Sequence, residues 1–83
     1  MEQFETGMMA RSKSGHDAGK VYVITKVEEA YVYLVDGKVR TLDKPKKKKK
    51  KHVQLIKESF DIQGATDVDI KRWIKIWNKE DNQ

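Results

Sequence analysis

The sequence predicts a mainly β domain: a small, partly open barrel of five short strands, followed by a C-terminal α-helix. Three observations carry this. Val21 to Val27 (VYVITKV) and Ala30 to Val35 (AYVYLV) are dense in β-branched and aromatic residues and show no helical stripe. Glycines and short polar pairs punctuate the chain as far as Lys57, which keeps each strand short. From Thr66 onward the apolar period becomes helical. Five short strands with tight turns favour closure, because a flat sheet would leave long exposed edges.

Taken in order, Met1 to Thr6 is a tail in which Phe4 can fold back over an open barrel end, and Gly7 to Lys13 is the first strand. The turn SGHDAG follows, with Gly15 and Gly19 bracketing His16, Asp17 and Ala18. Asp17 is expected to accept backbone N–H bonds within that turn. Val21 to Val27 and Ala30 to Val35 are the second and third strands. Asp36-Gly37 then signals a two-residue hairpin into a fourth strand, Lys38 to Leu42. That register sets Leu34 opposite Val39 and Val32 opposite Thr41, with Val32, Leu34 and Val39 facing the core. Tyr31, Tyr33, Lys38 and Arg40 fall on the opposite, solvent-accessible side.

Lys44 to Lys51 is predicted to be a solvated loop, because like charges repel and Pro45 breaks a helix at its start. Val53 to Lys57 is the fifth strand, and Ser59 to Ala65 a connector. Thr66 and Asp69 fit a capping box, and Ile70, Trp73, Ile74 and Trp77 share one helical stripe over Asp67 to Lys79. The two tryptophans are therefore read as packing groups rather than a base-stacking platform. The organisation is one domain: tail 1-6, barrel 7-57 with its lysine-rich loop 44-51, and helix 67-79.

The chain has 83 residues and a net charge of +5, but Lys44 and Lys46 to Lys51 account for more than all of it; without those seven lysines the remainder is at −2. An electrostatic partner is thus expected at that segment. There is no cysteine, and His16 and His52 are the only imidazoles, which leaves no disulfide, thiolate or metal cluster to propose. His16-Asp17 lacks a nucleophile, a third ligand or a phosphate-binding signature, so no enzymatic activity, cofactor or small-molecule substrate is expected. No apolar run reaches the roughly 18 residues that span a bilayer, and MEQFETGMMA has acids where a signal peptide carries lysines. A cytoplasmic protein without a membrane partner, monomeric when free, is expected.

Gly15-x3-Gly19-Lys20 between two strands, followed by an alternating apolar strand, resembles the KOW motif. AGKVYVITKVEEAYVYLVDG, Ala18 to Gly37, resembles the AGK and LVDG framework of an archaeal and eukaryotic large-subunit ribosomal protein family. RTLDKPKKKKKKH, Arg40 to His52, is similar to the lysine-rich continuation of single-domain bacterial KOW proteins that bind RNA. The resemblance covers about Gly7 to Ile56 and implies an SH3-like barrel that binds RNA, ribosomal RNA foremost. It also implies RNA contact through the loop between the first two strands, here Lys13, Ser14, Gly15, His16, Asp17 and Lys20. Relatives often carry Arg where His16 stands, so here a titratable group replaces a permanent cation.

The expected RNA-binding residues are Arg11, Lys13, Ser14, Gly15, His16, Lys20, Lys38, Arg40, Lys44 and Lys46, Lys47, Lys48, Lys49, Lys50 and Lys51. Lysines near phosphates release condensed counterions and need no defined sequence, so they supply affinity rather than specificity. The blander account of PKKKKKK is a solubilising or nuclear-import tract. Tyr31 and Tyr33 beside Arg40 can stack on unpaired bases, although barrel packing is the favoured reading. The alternative function is a protein-interaction barrel that docks a ribosomal or transcription-machinery protein through its edge or its Trp-bearing helix.

Overall fold

The computed structural model describes residues 3–81, with side chains through residue 78. Five strands, β1 (Met8–Ser12), β2 (Val21–Val27), β3 (Tyr31–Val35), β4 (Lys46–Lys49) and β5 (Val53–Ser59), precede a helix, α1 (Asp67–Asp81). All neighbours are antiparallel and form one sheet in the order β4-β3-β2-β1-β5. No helix among the described residues is long and apolar enough to cross a membrane.

The connection between β4 and β5 forces the sheet to curl. These strands lie at opposite edges, which a flat five-stranded sheet would hold about 19 Å apart. Yet only the 3-10 turn Lys50–His52 joins them, and three linking residues reach at most about 14 Å even when extended. The curl gives the sheet an enclosed face and an outer face, and both are buried. Ala10, Tyr22, Ile24, Val32, Leu34, Val53 and Leu55 fill the inner one, with Phe4 folded back against them. Met9, Val21, Val23 and Val35 on the outer face pack against Ile70, Trp73, Ile74 and Trp77 of α1 and against Phe60. Burial on both faces explains why VYVI in β2 is an unbroken apolar run rather than an alternation.

The helix begins where the capping box predicts. Asp69 Oδ2 accepts the Thr66 N–H at 3.0 Å, and Thr66 Oγ1 accepts the Asp69 N–H at 3.3 Å. Trp73 stacks on Phe60 with ring centroids 4.7 Å apart, and the Arg11 guanidinium lies 5.4 Å from the Trp77 ring. Both tryptophans are therefore packing residues of the outer layer.

The fourth strand differs from the expectation. Lys38 to Leu42 is not a strand, because one oxygen, Asp36 Oδ1, accepts the N–H groups of Lys38, Val39 and Arg40 at 2.9, 3.0 and 2.8 Å. Those donors are lost to any ladder, and Leu42 N–H is drawn instead to Asp67 Oδ1 at 2.8 Å. The predicted pairing of Leu34 with Val39 is absent, and Val39 stands 70 % exposed rather than in the core. The lysine segment, expected to be a loop, takes the vacated edge, with Tyr31 opposite Lys49, Val32 opposite Lys48, Tyr33 opposite Lys47 and Leu34 opposite Lys46. Gly37, at φ 78°, lets the loop press against α1: a Cβ there would collide with the Asp67 carbonyl oxygen and lie 2.9 Å from Lys71 N.

Candidate nucleic-acid interface

Strand alternation divides the lysine run into two sets with different surroundings. Lys46 and Lys48 point toward the loop between β1 and β2. There Asp17 is buried with its side chain only 8 % exposed, and each of its oxygens accepts one ammonium and one hydroxyl. Oδ1 takes Lys48 Nζ at 3.0 Å and Ser12 Oγ at 2.9 Å. Oδ2 takes Lys46 Nζ at 2.8 Å and Tyr22 OH at 3.1 Å. Lys48 Nζ also donates to the Ser14 carbonyl at 2.9 Å. Asp17 thus makes none of the intraturn backbone bonds expected of it; its four partners are side chains of β1, β2 and β4. Burial alone would raise its pKa, but the hydrogen bonds from Lys46, Lys48, Ser12 and Tyr22 outweigh it and hold the carboxyl well below the usual range. Tyr22 is pushed up to about 12 by burial, by the Asp17 charge and by its own bond to that carboxylate.

Lys47 and Lys49 lie on the other side of β4, beside the tyrosines. Lys47 Nζ sits 4.4 Å from the Tyr31 ring centroid and 5.9 Å from that of Tyr33, and pairs with Glu28 at 3.8 Å. Lys26 approaches the Tyr33 ring at 5.3 Å and Glu28 at 3.7 Å. The tyrosines are half-buried on the outer face, and Tyr33 OH donates to Glu28 Oε1 at 3.3 Å. Lys50 rests 5.6 Å from the Phe4 ring.

No family model matches this chain, and no curated protein does.

The expected site residues therefore stand on their geometry. Lys46 joins His16, Lys20 and Arg40 around a recess of about 170 Å³ that Asp17, Asp36, Tyr22 and Val39 also line. Lys49, Lys50 and Lys51 line a second recess, about 460 Å³, with Tyr31. The two recesses flank the β4 edge. Lys13, His16, Lys20, Lys38, Arg40, Lys44, Lys49 and Lys51 are exposed, and none of them forms an ion pair among the described residues. Gly15, at φ 85°, sits over the carboxylate, 3.5 Å from Asp17 Oδ1 by the position its Cβ would take. Arg11 is the outlier, since it lies against Trp77 on the helix-covered face, away from β4. Lys38 also lies apart, toward α1. Among the described residues no group of three or more His, Cys, Asp or Glu side chains could hold a metal ion.

Sequence reasoning missed Ser12, Tyr22 and the role of Asp17. The available signal was charge: Asp17 is the only acid between Glu5 and Glu28, on a turn otherwise surrounded by Arg11, Lys13 and Lys20.

Proposed function

We propose that this protein is a non-catalytic RNA-binding module, a KOW-type SH3-like barrel that grips RNA phosphates along β4 and the adjoining β1–β2 loop. The observation that carries the reading is the double ion pair of Asp17 with Lys46 and Lys48. It gathers two basic segments, far apart in the chain, into one surface that continues to Lys20, Arg40, Lys49 and Lys51. The strand order and the three-residue link between β4 and β5 suit an SH3-like barrel. The resemblance of Ala18 to Gly37 to a large-subunit ribosomal protein family favours ribosomal RNA as the target, and a place at the ribosome or in translation.

The surface suits affinity more than sequence reading. Its cations are mostly flexible lysines, and of the tyrosines at the two recesses only the half-buried Tyr31 is open to a base, since Tyr22 is 3 % exposed. A salt titration of binding to a single-stranded RNA oligonucleotide tests this. Lys49 and Lys51 are exposed, so K49Q/K51Q should fold normally. It should reduce the magnitude of the log–log salt slope by about 1.4, since each phosphate left without its lysine removes about 0.7. Unchanged affinity and slope in that variant would refute the proposed surface.

A further inference from the structure

The loop after β3 and the face of α1 enclose an open groove of about 610 Å³ that borders the proposed RNA surface and shares Lys20 with it. Its lining is aliphatic at Val21, Val39 and Ile74 and basic at Lys20, Lys38, Lys71 and Lys75. The one acid in the lining, Asp36, already accepts three backbone N–H groups through Oδ1. None of the four lysines forms an ion pair among the described residues.

The walls are fixed before anything binds. Gly37 packs directly on the backbone of Asp67 and Lys71, and Asp67 Oδ1 accepts Leu42 N–H, so the loop is fastened to the first turn of α1 at two points. This fastening holds Val39 out in solvent at 70 % exposure, in a groove also lined by four lysines. A preformed groove costs a ligand little ordering.

We infer that this groove binds an acidic peptide segment of a partner protein, with an apolar side chain seated on Val39 and Ile74 and carboxylates paired to these lysines. Charge complementarity alone would also admit RNA, but the aliphatic part of the lining decides between them. No aromatic ring lines the groove for a base to stack on, and phosphates gain nothing from contact with valine and isoleucine. A leucine flanked by glutamates satisfies both parts of the site. The surface differs from the tryptophan face, since Trp73 and Trp77 are occupied with Phe60 and Arg11.

The test is NMR shift mapping of the whole protein titrated with a short peptide in which glutamates flank one leucine. Amides of Val39, Lys71 and Lys75 should shift. V39S removes a solvent-exposed methyl pair, so the fold should survive, and binding should weaken about tenfold. K71E/K75E should weaken it further, whereas K57E, an exposed charge reversal on β5, should not do so to a comparable degree. Three results would each overturn the inference: equal binding of a peptide with serine in place of leucine, equal binding by V39S, or displacement of the peptide from these amides by a single-stranded RNA oligonucleotide. The RNA proposal is read separately, from K49Q/K51Q, so either can fail alone.

Discussion

Replacing Asp17 with Asn should nearly unfold a strand that lies far from it in sequence. The substitution keeps shape and removes charge. In the native site each carboxylate oxygen accepts an ammonium and a hydroxyl. An amide has only one oxygen, so whichever way it is turned its NH2 faces one lysine ammonium as a second donor. Lys48 is 11 % exposed and cannot recover full hydration in place; Lys46, at 27 %, recovers part of it. Breaking a fully buried ion pair costs about 3–5 kcal/mol, and the partial exposure of Lys46 puts the expected loss near the lower end, about 3 kcal/mol. A domain of this size has a total stability of about 4–12 kcal/mol. With a urea slope of about 1 kcal/mol/M, the midpoint should fall by about 3 M. Hydrogen exchange should locate the damage, with the amides of Lys46 to Lys49 losing protection before those of β2.

The acid limb supplies an independent check. The Asp17 carboxyl is held below its ordinary value of 3.8 in the folded protein. Its stabilisation is therefore complete above about pH 4 and is lost as pH falls further toward the folded value. The stability gap between wild type and D17N should narrow on acidification. A midpoint within about 0.5 M of wild type at neutral pH, with β4 amides still protected, would refute the claim that Asp17 holds the lysine strand in place.

Two further outcomes follow from the same geometry. Tyr22, raised from 10.0 to about 12, stabilises the fold below pH 10, and its contribution of about 3 kcal/mol should be lost between pH 10 and 12; Y22F should flatten that alkaline limb, and ultraviolet titration of D17N should show Tyr22 ionising closer to 10. Gly37→Ala should cost about 2 kcal/mol or more, because a Cβ meets the Asp67 carbonyl at a positive φ; a thermal midpoint equal to wild type would show that the loop can lift from α1 without loss.

The second and third strands and the helix were legible because local and global preferences agree there. Val21 to Val27 is β-branched and ends up buried on both faces, and Thr66 and Asp69 form the reciprocal cap that their spacing announces. The fourth strand was illegible for a physical reason. Lys38 to Leu42 has the better β composition, yet a single side-chain oxygen of Asp36 takes three of its amides. The repulsion that argues for a loop at Lys46 to Lys49 is real, but Asp17 and Glu28 offset it, and Asp17 lies 31 positions away from Lys48. A rule that counts neighbours in sequence cannot register such a partner. The same distance hid the site, since the glycine turn and the lysine run meet only after the sheet has curled.

That arrangement bears on how much charge the protein can offer to RNA. An edge strand exposes unpaired backbone groups, and lysines along it discourage another strand from adding there. In β4 the alternation gives those lysines separate tasks. Lys46 and Lys48 are neutralised and fasten the strand, while Lys47 is shared between Glu28 and the tyrosines. Of the seven lysines between Lys44 and Lys51, only Lys44, Lys49, Lys50 and Lys51 form no ion pair among the described residues. Counting only those four, the segment contributes a salt slope of about −2.8, whereas counting all seven gives about −4.9. A value near the larger figure would mean that phosphates draw Lys46, Lys47 and Lys48 away from their carboxylates. Binding would then undo the ion pairs that hold β4 on the sheet, and its amides would lose protection as RNA is added. A value near the smaller figure requires those amides to stay protected in the complex, so slope and exchange must agree on which anion the buried lysines prefer.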